Sequence, residues 1–408
     1  MKKKTAVLFI LIAVLSSIVF ITGHASGVMD YFSKREKTVT ISQEEYDRLS
    51  RYAEMDAILQ YIEEWYYQEP DVDALIENAT RGLLYGLEDP YSFYYNEAEW
   101  TEMWEDDEGE YTGIGIQLLG SSQDYSVTIT RVFSDTPAEK AGLKKGDILV
   151  RVEDIEVNVY SMQNAVNVMR GTMAELGKTV EIEVLRGGEY MTFQVPRAVI
   201  LVNQVEYAML EDQVGYIVLY QFAGESAKEF TAAMNALKDQ GAKALVVDLR
   251  DNPGGWVDHA TGIADLFLDG GILVYSEDRY RTREDINLTA GQDDIPLVML
   301  VNGNSASSSE ILAGSMQDRG RATLVGTQTF GKGIIQVVVP LNNDKNGFQM
   351  TYAQYYLPSG KEVHKIGITP DIICEMPEEL VNKNFELGDM SDPQLKTAWE
   401  AAKSMIQE

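Results

Sequence analysis

Ser307 and Lys332 are the residues of this 408-residue chain whose types and surroundings could perform nucleophilic chemistry. Ser307 lies between an apolar run, 295–301, and a segment from Glu310 onward that has the pattern of a helix start. Unpaired backbone N–H groups surround a serine at a strand-to-helix junction, and they stabilise developing negative charge. Lys332 follows between two glycines. The pair predicts an activated serine with a lysine as its base.

Both residues also have simpler explanations. Ser307 and Glu310 match the Ser-x-x-Glu capping box, which satisfies the first amides of a helix and does no chemistry. A lone lysine between glycines is usually a solvated loop residue. Histidine is the usual base for a serine, but none of the three histidines stands in a recognisable catalytic motif: His24, His259 and His364. The Gly-x-Ser-x-Gly motif of many hydrolases is also absent from the sequence around Ser307.

A lysine can replace histidine when burial lowers its pKa from about 10.4 towards about 7 to 8, which costs about 3 to 5 kcal/mol. Gly331 and Gly333 would allow backbone to approach closely around Lys332, and the segment 333–340 is typical of a buried strand. On a strand, positions 332, 334 and 336 share one face, so Gln336 is predicted to orient the lysine amine. The alternative for Gln336 is a polar residue on a strand edge.

The segment 244–255 predicts a strand that runs into a turn with two glycines. Such a turn can present backbone N–H groups to an oxyanion. The predicted donors are the amides of Gly254 and Gly255, together with the amide of Ser308 directly after the nucleophile. Taken alone, the segment is only a strand-turn signal.

Together these motifs resemble the C-terminal processing peptidases, a family of PDZ-containing Ser/Lys serine proteases of bacterial envelopes and plastids. The matching segments are 248–255, 302–310, 331–336, 357–361 and 367–371. The resemblance implies that Ser307 is the nucleophile, Lys332 the general base and Gln336 its orienter. Ser308 stands where the family usually has alanine, and little effect is expected because that position supplies a backbone amide.

Residues 110–198 carry motifs that match a PDZ domain: a glycine-containing loop entering a strand, a short helix, and a turn into another strand. PDZ domains add a peptide as an extra strand and hold its terminal carboxylate in backbone amides. Here the predicted amides are those of Gly113, Ile114, Gly115 and Ile116, although a simple hairpin entry is the alternative. Arg170 is a candidate relay between bound peptide and protease domain, or else a solvated arginine at a helix end.

Three lysines, residues 2–4, precede an apolar run at 6–22, so residues 1–25 are predicted to be a signal peptide or a membrane anchor. Either one puts the bulk of the chain outside the cytoplasm, and a bacterial cell-envelope location is expected. The 64 acidic and 34 basic residues give a net charge of −30, which argues against nucleic acid or an anionic membrane surface as the main partner. The single cysteine, Cys374, excludes an internal disulfide and offers no metal cluster. No cofactor is expected.

The sequence patterns of the remaining segments predict several domains. Residues 26–40 are a tether, and 41–105 are a helical region whose apolar face is most simply explained as core. Residues 199–378 alternate strands with helices, which indicates α/β architecture. The resemblance implies a crotonase/ClpP-like peptidase core with an inserted β-rich PDZ domain. It also implies that the N-terminal helices and the C-terminal segment 379–408 can form a homodimer interface.

Two functional classes remain open from the sequence. The first is a serine endopeptidase that takes protein or peptide substrates with accessible C-termini and cleaves them through an acyl-enzyme. The second is a PDZ-based adaptor with a catalytically silent peptidase-like domain. The presence of both Ser307 and Lys332 favours the protease.

Overall fold

The computed structural model describes residues 40–121, 124–289, 291, 293–380, 383 and 385–407. The predicted signal peptide or anchor and almost all of the predicted tether therefore lie outside the described residues. Within the described part of the chain, no helix is both long enough and apolar enough to cross a membrane. The chain forms two compact units, one ending at Asn78 and the other starting at Ala79.

The ten α-helices of the described residues are, in chain order, α1 (Gln43–Leu49), α2 (Ala53–Trp65), α3 (Val72–Tyr85), α4 (Glu97–Glu108), α5 (Pro137–Ala141), α6 (Met162–Arg170), α7 (Ser226–Asp239), α8 (Val257–Ala264), α9 (Ser308–Asp318) and α10 (Pro393–Gln407).

The strands of the described residues are β1 (Phe93–Tyr95), β2 (Glu110–Gly113), β3 (Ile116–Gly120), β4 (Val127–Val132), β5 (Ile148–Val152), β6 (Ile155–Glu156), β7 (Thr179–Arg186), β8 (Glu189–Pro196), β9 (Ala198–Leu201), β10 (Val205–Met209), β11 (Val214–Leu219), β12 (Ala244–Asp248), β13 (Gly271–Asp278), β14 (Arg283–Leu288), β15 (Leu297–Val301), β16 (Thr323–Gly326), β17 (Ile334–Leu341), β18 (Asn346–Tyr356) and β19 (Ile372–Ile373).

Helices α1 and α2 belong to the first unit, and neither contains a buried residue. On α2 the side chains of Met55, Ile58 and Trp65 are 51%, 55% and 71% exposed. The expectation that this apolar face forms a core is therefore wrong for α2. The helical spacing was read correctly, but periodicity shows which side chains share a face and does not show what covers that face.

The predicted PDZ domain is a β-sheet with strand order β3-β4-β5-β7-β8, and β6 pairs with β5. Its core contains buried residues of the sheet and of α6, among them Val127, Ile182 and Ala165. Strand β3 lies at the edge of the sheet, so one side of its backbone has no partner strand. Strands β2 and β9, which lead into and out of this domain, pair with each other in antiparallel orientation.

The main sheet of the second unit has the order β10-β11-β12-β15-β16-β19 and is parallel except for β10. Strands β12 and β15 are buried along their whole length, as their continuous apolar sequences predict. One hydrophobic cluster joins the sheet to α7, α8 and α9, and a second joins it to α10. The predicted architecture, an α/β core with an inserted β-rich domain and N-terminal helices, is confirmed.

Two consequences of this topology bring distant segments together. Asp248, at the end of β12, pairs with Leu300 of β15, so the glycine turn and the Ser307 segment leave the sheet side by side. A second sheet has the order β1-β18-β13-β14, with β17 also paired to β18. Its strand β1 comes from the region that was predicted to be helical, and it carries residues 89–95 to the peptidase core.

A buried charge cluster fixes α10 to the main sheet. The Arg250 guanidinium lies 2.6 Å from the Asp248 carboxylate and 2.8 Å from the carboxylate of Asp392, and both acidic side chains are at most 5% exposed. The other Asp392 oxygen accepts the N–H groups of Gln394 and Leu395 at the start of α10. Removal of one charge from such a cluster leaves the remainder without full compensation.

We expect Asp392→Asn to lower the free energy of unfolding by about 2 kcal/mol. This is less than the roughly 3 to 5 kcal/mol for breaking a buried pair, because Asp248 remains and asparagine still caps the helix. Urea denaturation measures the change. The matched control is Asp212→Asn, which removes an exposed ion pair with Lys403 of α10 and should cost at most about 1 kcal/mol. Equal losses in the two variants would contradict the role of the buried cluster.

Candidate active site

Ser307 lies in the turn between β15 and α9 with a strained backbone. Its φ of 54° and ψ of −116° fall outside the regions that ordinary side chains prefer, and such conformations cost about 1 to 3 kcal/mol. The turn is held by hydrogen bonds: the Ser307 N–H donates to the carboxylate of Glu310 at 3.0 Å, and the Ser307 carbonyl accepts the N–H of Ile311 at 2.9 Å. The Glu310 contact belongs to the capping box that the sequence suggested.

The neighbouring serines are used differently from Ser307. Ser305, Ser308 and Ser309 are fully buried, whereas Ser307 is partly exposed. Each of the three donates its hydroxyl to a backbone carbonyl of the 249–255 segment, at distances of 2.7 to 2.9 Å. Serine hydroxyls committed in this way hold the turn together, and Ser307 is the serine of this group that is accessible to solvent.

The two glycines of the turn after β12, Gly254 and Gly255, occupy backbone conformations that other residues avoid. Gly254 has φ 104° and Gly255 has φ 136°. A Cβ on Gly254 would lie 2.8 Å from the Cβ of Ser307, and one on Gly255 would lie 2.2 Å from the carbonyl of Phe222. The turn thus packs directly against residues 306–308, and only glycine fits at these positions.

The predicted oxyanion donors lie around this turn. Gly254 N–H donates within the turn to Oδ1 of Asn252 at 2.9 Å. The Ser308 hydroxyl donates to the Gly255 carbonyl at 2.7 Å, a contact that the usual alanine could not make. Ser308 therefore joins the helix to the glycine turn in addition to offering its amide. The Gly254 N–H is already used within the turn, so Gly255 and Ser308 are the stronger of the three predicted donors. The roles of all three amides as oxyanion donors stay predictions.

Lys332 lies in a tight loop that precedes β17. A Cβ on Gly331 would lie 3.1 Å from the amide of Gly367, and one on Gly333 would lie 2.3 Å from the amide of His364. The flanking glycines therefore permit the close backbone approach that the sequence suggested. The lysine amine lies 4.7 Å from the centre of the Tyr91 ring.

Burial shifts the basicity of Lys332 in the direction that a general base needs. Loss of solvent lowers the pKa of its amine, and the carboxylates of Asp89 and Glu310 counteract part of this effect, so that the pKa lies below the usual value. A lysine with a lowered pKa is neutral over a wider range of pH and can accept a proton there.

Glu310 connects the two halves of the site. Its carboxylate is fully buried. One oxygen accepts the N–H groups of Ser307 and Lys332, at 3.0 and 2.8 Å. The other accepts the hydroxyl of Thr329 at 2.6 Å and the N–H of Gly331 at 2.8 Å. One carboxylate thereby joins the turn that contains Ser307 to the loop 329–332, which contains Lys332.

Gln336 lies on β17, which begins at Ile334, so Lys332 itself precedes the strand. The pairing with β18 shifts by one residue between Ile335 and Gln336. The Gln336 side chain donates to the hydroxyl of Thr351 at 3.4 Å, and Thr351 in turn donates to Asp89 at 2.6 Å. The structure thus places Gln336 in a network next to the lysine, and its role as the orienter of the amine stays a prediction.

Sequence reasoning missed this second layer. Asp89, Tyr91, Ser92 and Thr351 form a network that reaches Gln336 through Thr351 and Lys332 through the Tyr91 ring. The sequence placed residues 89–92 only within a helical region and gave them no role in the site. Glu310 was noted only as a helix cap. The available signal was the pair of acidic and hydroxyl side chains at positions 89 and 92, which predicts a local turn but no contact with residues 332 or 351.

The two described histidines lie in different places. Nδ1 of His259 lies 2.7 Å from the hydroxyl of the buried Ser226, a contact between α7 and α8. The backbone of His364 packs against Gly333, beside Lys332. Burial lowers the pKa of each histidine, and for His364 the charge of Lys365 lowers it further. His364 is thus the histidine near the candidate base.

The predicted peptide-binding loop, 113–116, leads from β2 into the edge strand β3. Its geometry is set by Gly115, whose φ is 91° and whose missing Cβ leaves room for Thr136. Apolar side chains of β3 and α6 pack against the domain core while remaining partly exposed; these are Ile116, Leu118, Met162 and Val166. An edge strand beside a partly exposed apolar helix face is the arrangement that binds an extended peptide.

Arg170, at the end of α6, reaches out of the PDZ domain. Its guanidinium lies 3.1 Å from the carboxylate of Glu102 on α4 and 5.1 Å from the centre of the Tyr111 ring. Helix α4 also carries Trp104, whose ring stacks on that of Trp256 at 6.2 Å. Trp256 directly follows Gly254 and Gly255, so a chain of contacts runs from the PDZ domain to the glycine turn.

Among the residues that the structure describes, no cluster of three or more histidine, cysteine, aspartate or glutamate side chains is suited to hold a metal ion. The polar groups of the site are instead a serine, a lysine, an amide side chain and backbone N–H groups. This set supports acyl transfer to a serine with lysine as the proton acceptor.

Comparison with known families agrees with this chemistry. The model of peptidase family S41 matches residues 213–374, a PDZ-domain model matches 112–196, and a model described as the activating protease CtpB N-terminal domain matches 19–99. The matched regions coincide with the α/β core, the inserted domain and the N-terminal helices described above.

Individual relatives extend over most of the chain. A carboxy-terminal-processing protease of Bartonella bacilliformis is 34% identical over 363 residues, which cover 86% of this chain and 81% of the relative. The carboxy-terminal processing protease CtpA of Bacillus subtilis is 29% identical over 418 residues, covering 99% of this chain and 86% of the relative.

Two solved structures resemble this one. The photosystem II D1 C-terminal processing protease has a TM-score of 0.52 and 28% sequence identity, covering 87% of this chain and 100% of that protein. An S41 protease from Bacteroides fragilis, described as putative, has a TM-score of 0.56 and 14% identity, covering 84% and 92%, and shows the fold alone. The crotonase/ClpP-like core with an inserted PDZ domain is thereby confirmed. The chain belongs to the carboxy-terminal-processing proteases of peptidase family S41, which are serine-type peptidases with a PDZ domain.

Proposed function

We propose that this protein is an endopeptidase that takes accessible protein C-termini through its PDZ domain and cleaves them with a Ser307–Lys332 dyad. One observation carries the proposal. The strained, partly exposed Ser307 and the half-buried Lys332 lie on segments that are hydrogen-bonded to the same buried carboxylate, that of Glu310. A catalytically silent adaptor would have no use for a strained serine and a lysine with a lowered pKa.

The proposed reaction follows from these groups. Neutral Lys332 takes the proton of the Ser307 hydroxyl while Oγ bonds to the carbonyl carbon of the substrate. The negative charge on the carbonyl oxygen is stabilised by the amides of Ser308 and Gly255, because the Gly254 N–H already donates to Oδ1 of Asn252. The protonated lysine then gives its proton to the leaving amine, which departs and leaves an acyl-enzyme. Water then attacks the acyl carbon while the lysine takes its proton, and the lysine returns that proton to Ser307 Oγ as the second product leaves.

Substrate capture is proposed to occur at β3. An extended peptide would pair with the open edge of this strand and direct its last side chain between β3 and α6. Its terminal carboxylate would lie against the amides of residues 113–116. Arg170 lies beside this loop, since a Cβ on Gly113 would be 3.8 Å from the Arg170 Cα. Occupation of the loop can therefore be transmitted through Arg170, α4 and Trp256 to the glycine turn.

A homodimer is proposed on the exposed apolar face of the N-terminal helices. Helix α2 leaves Met55, Ile58 and Trp65 more than half exposed, so the described residues of one copy do not cover this face. The C-terminal helix is a weaker candidate, because α10 buries Leu395, Ala398 and Ala402 against its own sheet. The cell envelope is the proposed location, on the basis of the N-terminal lysines and apolar run.

The dyad is tested by Lys332→Met, which keeps the length of the side chain and removes the amine. We expect an unchanged fold and a loss of kcat/KM of at least about 100-fold, in line with the contribution of general-base catalysis. Cleavage of a flexible peptide measures activity, and a fluorophosphonate probe followed by mass spectrometry identifies the labelled serine. The matched control is Lys345→Met, at an exposed lysine that forms a 3.6 Å ion pair with Glu97. Turnover within about tenfold of the wild type in Lys332→Met would exclude the dyad.

The joining role of Glu310 is tested by Glu310→Gln. The amide places an NH₂ group where one carboxylate oxygen accepts two donors, so we expect a loss of about 2 to 4 kcal/mol in unfolding free energy and a fall in activity. Denaturant titration and kcat/KM are measured together. The control is Glu229→Gln, because a single Glu229 oxygen accepts the N–H groups of Gln204 and Val205 and an amide oxygen can replace it. Similar small losses in both variants would contradict the shared anchor.

Carboxylate recognition is tested with two peptides that differ only in a free or an amidated C-terminus. Bound to the Ser307→Ala variant, the free acid should have at least about tenfold higher affinity, because charge-assisted hydrogen bonds are lost on amidation. Fluorescence anisotropy or calorimetry measures the two affinities. Acetylation of the peptide N-terminus is the control and should change neither. Equal affinities for acid and amide would leave the 113–116 loop with a structural role.

A further inference from the structure

The Asp89 carboxylate is the centre of a hydrogen-bonded network beside Lys332. One of its oxygens accepts the hydroxyls of Ser92 and Thr351, both at 2.6 Å. Its other oxygen accepts the N–H of Tyr91 at 3.1 Å. The Ser92 hydroxyl also accepts the N–H of Thr351 at 3.0 Å. Asp89 thus joins the segment before β1 to β18, although 262 positions separate it from Thr351.

This network contacts the catalytic side chains from two sides. Tyr91, whose N–H is held by Asp89, presents its ring 4.7 Å from the Lys332 amine. Thr351, whose hydroxyl is directed at Asp89, lies 3.4 Å from the amide nitrogen of Gln336. Because Gln336 and Thr351 are also direct partners across the two strands, the position of one constrains the other.

We propose that Asp89 is a positioning residue of the dyad: through Ser92 and Thr351 it fixes Gln336 and Tyr91 around Lys332, and its negative charge stabilises the lysine after proton transfer from Ser307. This inference rests on the proposed function, in which Lys332 is the base. The proton moves from Oγ to Nζ, and the resulting ammonium group faces a carboxylate that stays ionised. Burial raises the pKa of Asp89, but its hydrogen bonds from Ser92 and Thr351 outweigh this effect and lower the pKa overall.

The other titratable groups around the lysine are accounted for. Glu310, on α9, also attracts the charged amine, but its oxygens are occupied by three backbone amides and one hydroxyl that hold the loops. His364 packs on the far side of Gly333, and the charges of Asp89 and Glu310 both act on it. Burial, and secondarily Glu310, raises the pKa of Tyr355, which is therefore neutral. Asp89 is the carboxylate whose removal changes the field at Lys332 while the nucleophile loop keeps its anchor.

The test is the pH dependence of kcat/KM for the full-length protein and its Asp89→Asn variant. Activity rises as the pH rises through the pKa of Lys332, because only the neutral amine accepts a proton. Removal of a neighbouring negative charge lowers that pKa, so the acid limb of the profile moves to lower pH. The plateau falls roughly tenfold, since the ammonium formed in the transition state loses its partner. A merely structural role would lower the plateau and leave the limb in place.

Two further variants separate charge from positioning. Thr351→Val combined with Ser92→Ala keeps the Asp89 charge and removes the hydroxyls, so kcat falls while the limb does not move to lower pH. This pair also tests positioning if Asp89→Asn fails to fold, because an unchanged kcat would overturn it. Asp389→Asn is the matched control: Asp389 accepts the N–H and the hydroxyl of Ser391 in the C-terminal segment, and its loss leaves the profile unchanged.

An unshifted limb in folded Asp89→Asn would overturn the inference, whether or not the plateau falls. His364→Asn tests whether the acid limb belongs to Lys332 or to His364. If Lys332 titrates there, the limb persists in this variant; its disappearance would overturn the inference. The labelling rate of Ser307 by a fluorophosphonate gives the same profile without peptide binding. If Lys332→Met is inactive and the pH profile of Asp89→Asn equals that of the wild type, this inference alone is refuted. If Lys332→Met is active, the dyad itself is refuted.

Discussion

The active centre depends on the hydrogen bonds that the buried carboxylate of Glu310 accepts. This carboxylate accepts four hydrogen bonds, from the backbone of the nucleophile segment, from the backbone of the lysine segment and from Thr329. A buried charge without such partners would cost several kcal/mol, so the two segments are held where they satisfy it. Ser307 and Lys332 belong to separate loops. The Glu310 side chain is hydrogen-bonded to both loops and so fixes one relative to the other.

The site is costly to the fold in two respects. Ser307 has an unfavourable backbone conformation, and Lys332 is partly buried with a lowered pKa. The unfavourable contribution of such a lysine is complete below its folded pKa, decreases above that pKa, and vanishes beyond the unfolded value of about 10.5. The main sheet offsets these costs with strands that are buried along their whole length and helical clusters on both faces. The strained Ser307 backbone and the partly buried Lys332 thus lie in loops, whereas the main sheet and the helices packed on it supply the stability.

The sequence predicted the α/β core well because its signals are local. Continuous apolar runs indicated the central strands β12 and β15, the capping pattern indicated the start of α9, and glycines marked both tight turns. Ser307 and Lys332 could be named as candidates because motifs surround them. The contact of Asp89 with Thr351 could not be predicted, because no spacing rule links residues that far apart in the chain. The exposure of α2 was missed for a related reason: periodicity identifies an apolar face and says nothing about its partner.

The pairing of β2 with β9 has a consequence for how the inserted domain can move. The domain enters and leaves the core through one two-stranded ribbon, in which Gly113 lies opposite Ala198. Two arginines of the domain also reach outside it: Arg131 lies 3.0 Å from the carboxylate of Glu206 on β10, and Arg170 lies 3.1 Å from that of Glu102 on α4. Rotation of the domain about the ribbon would therefore have to break these ion pairs. The loop at 113–116 begins where β2 ends, so it lies beside the axis of such a rotation.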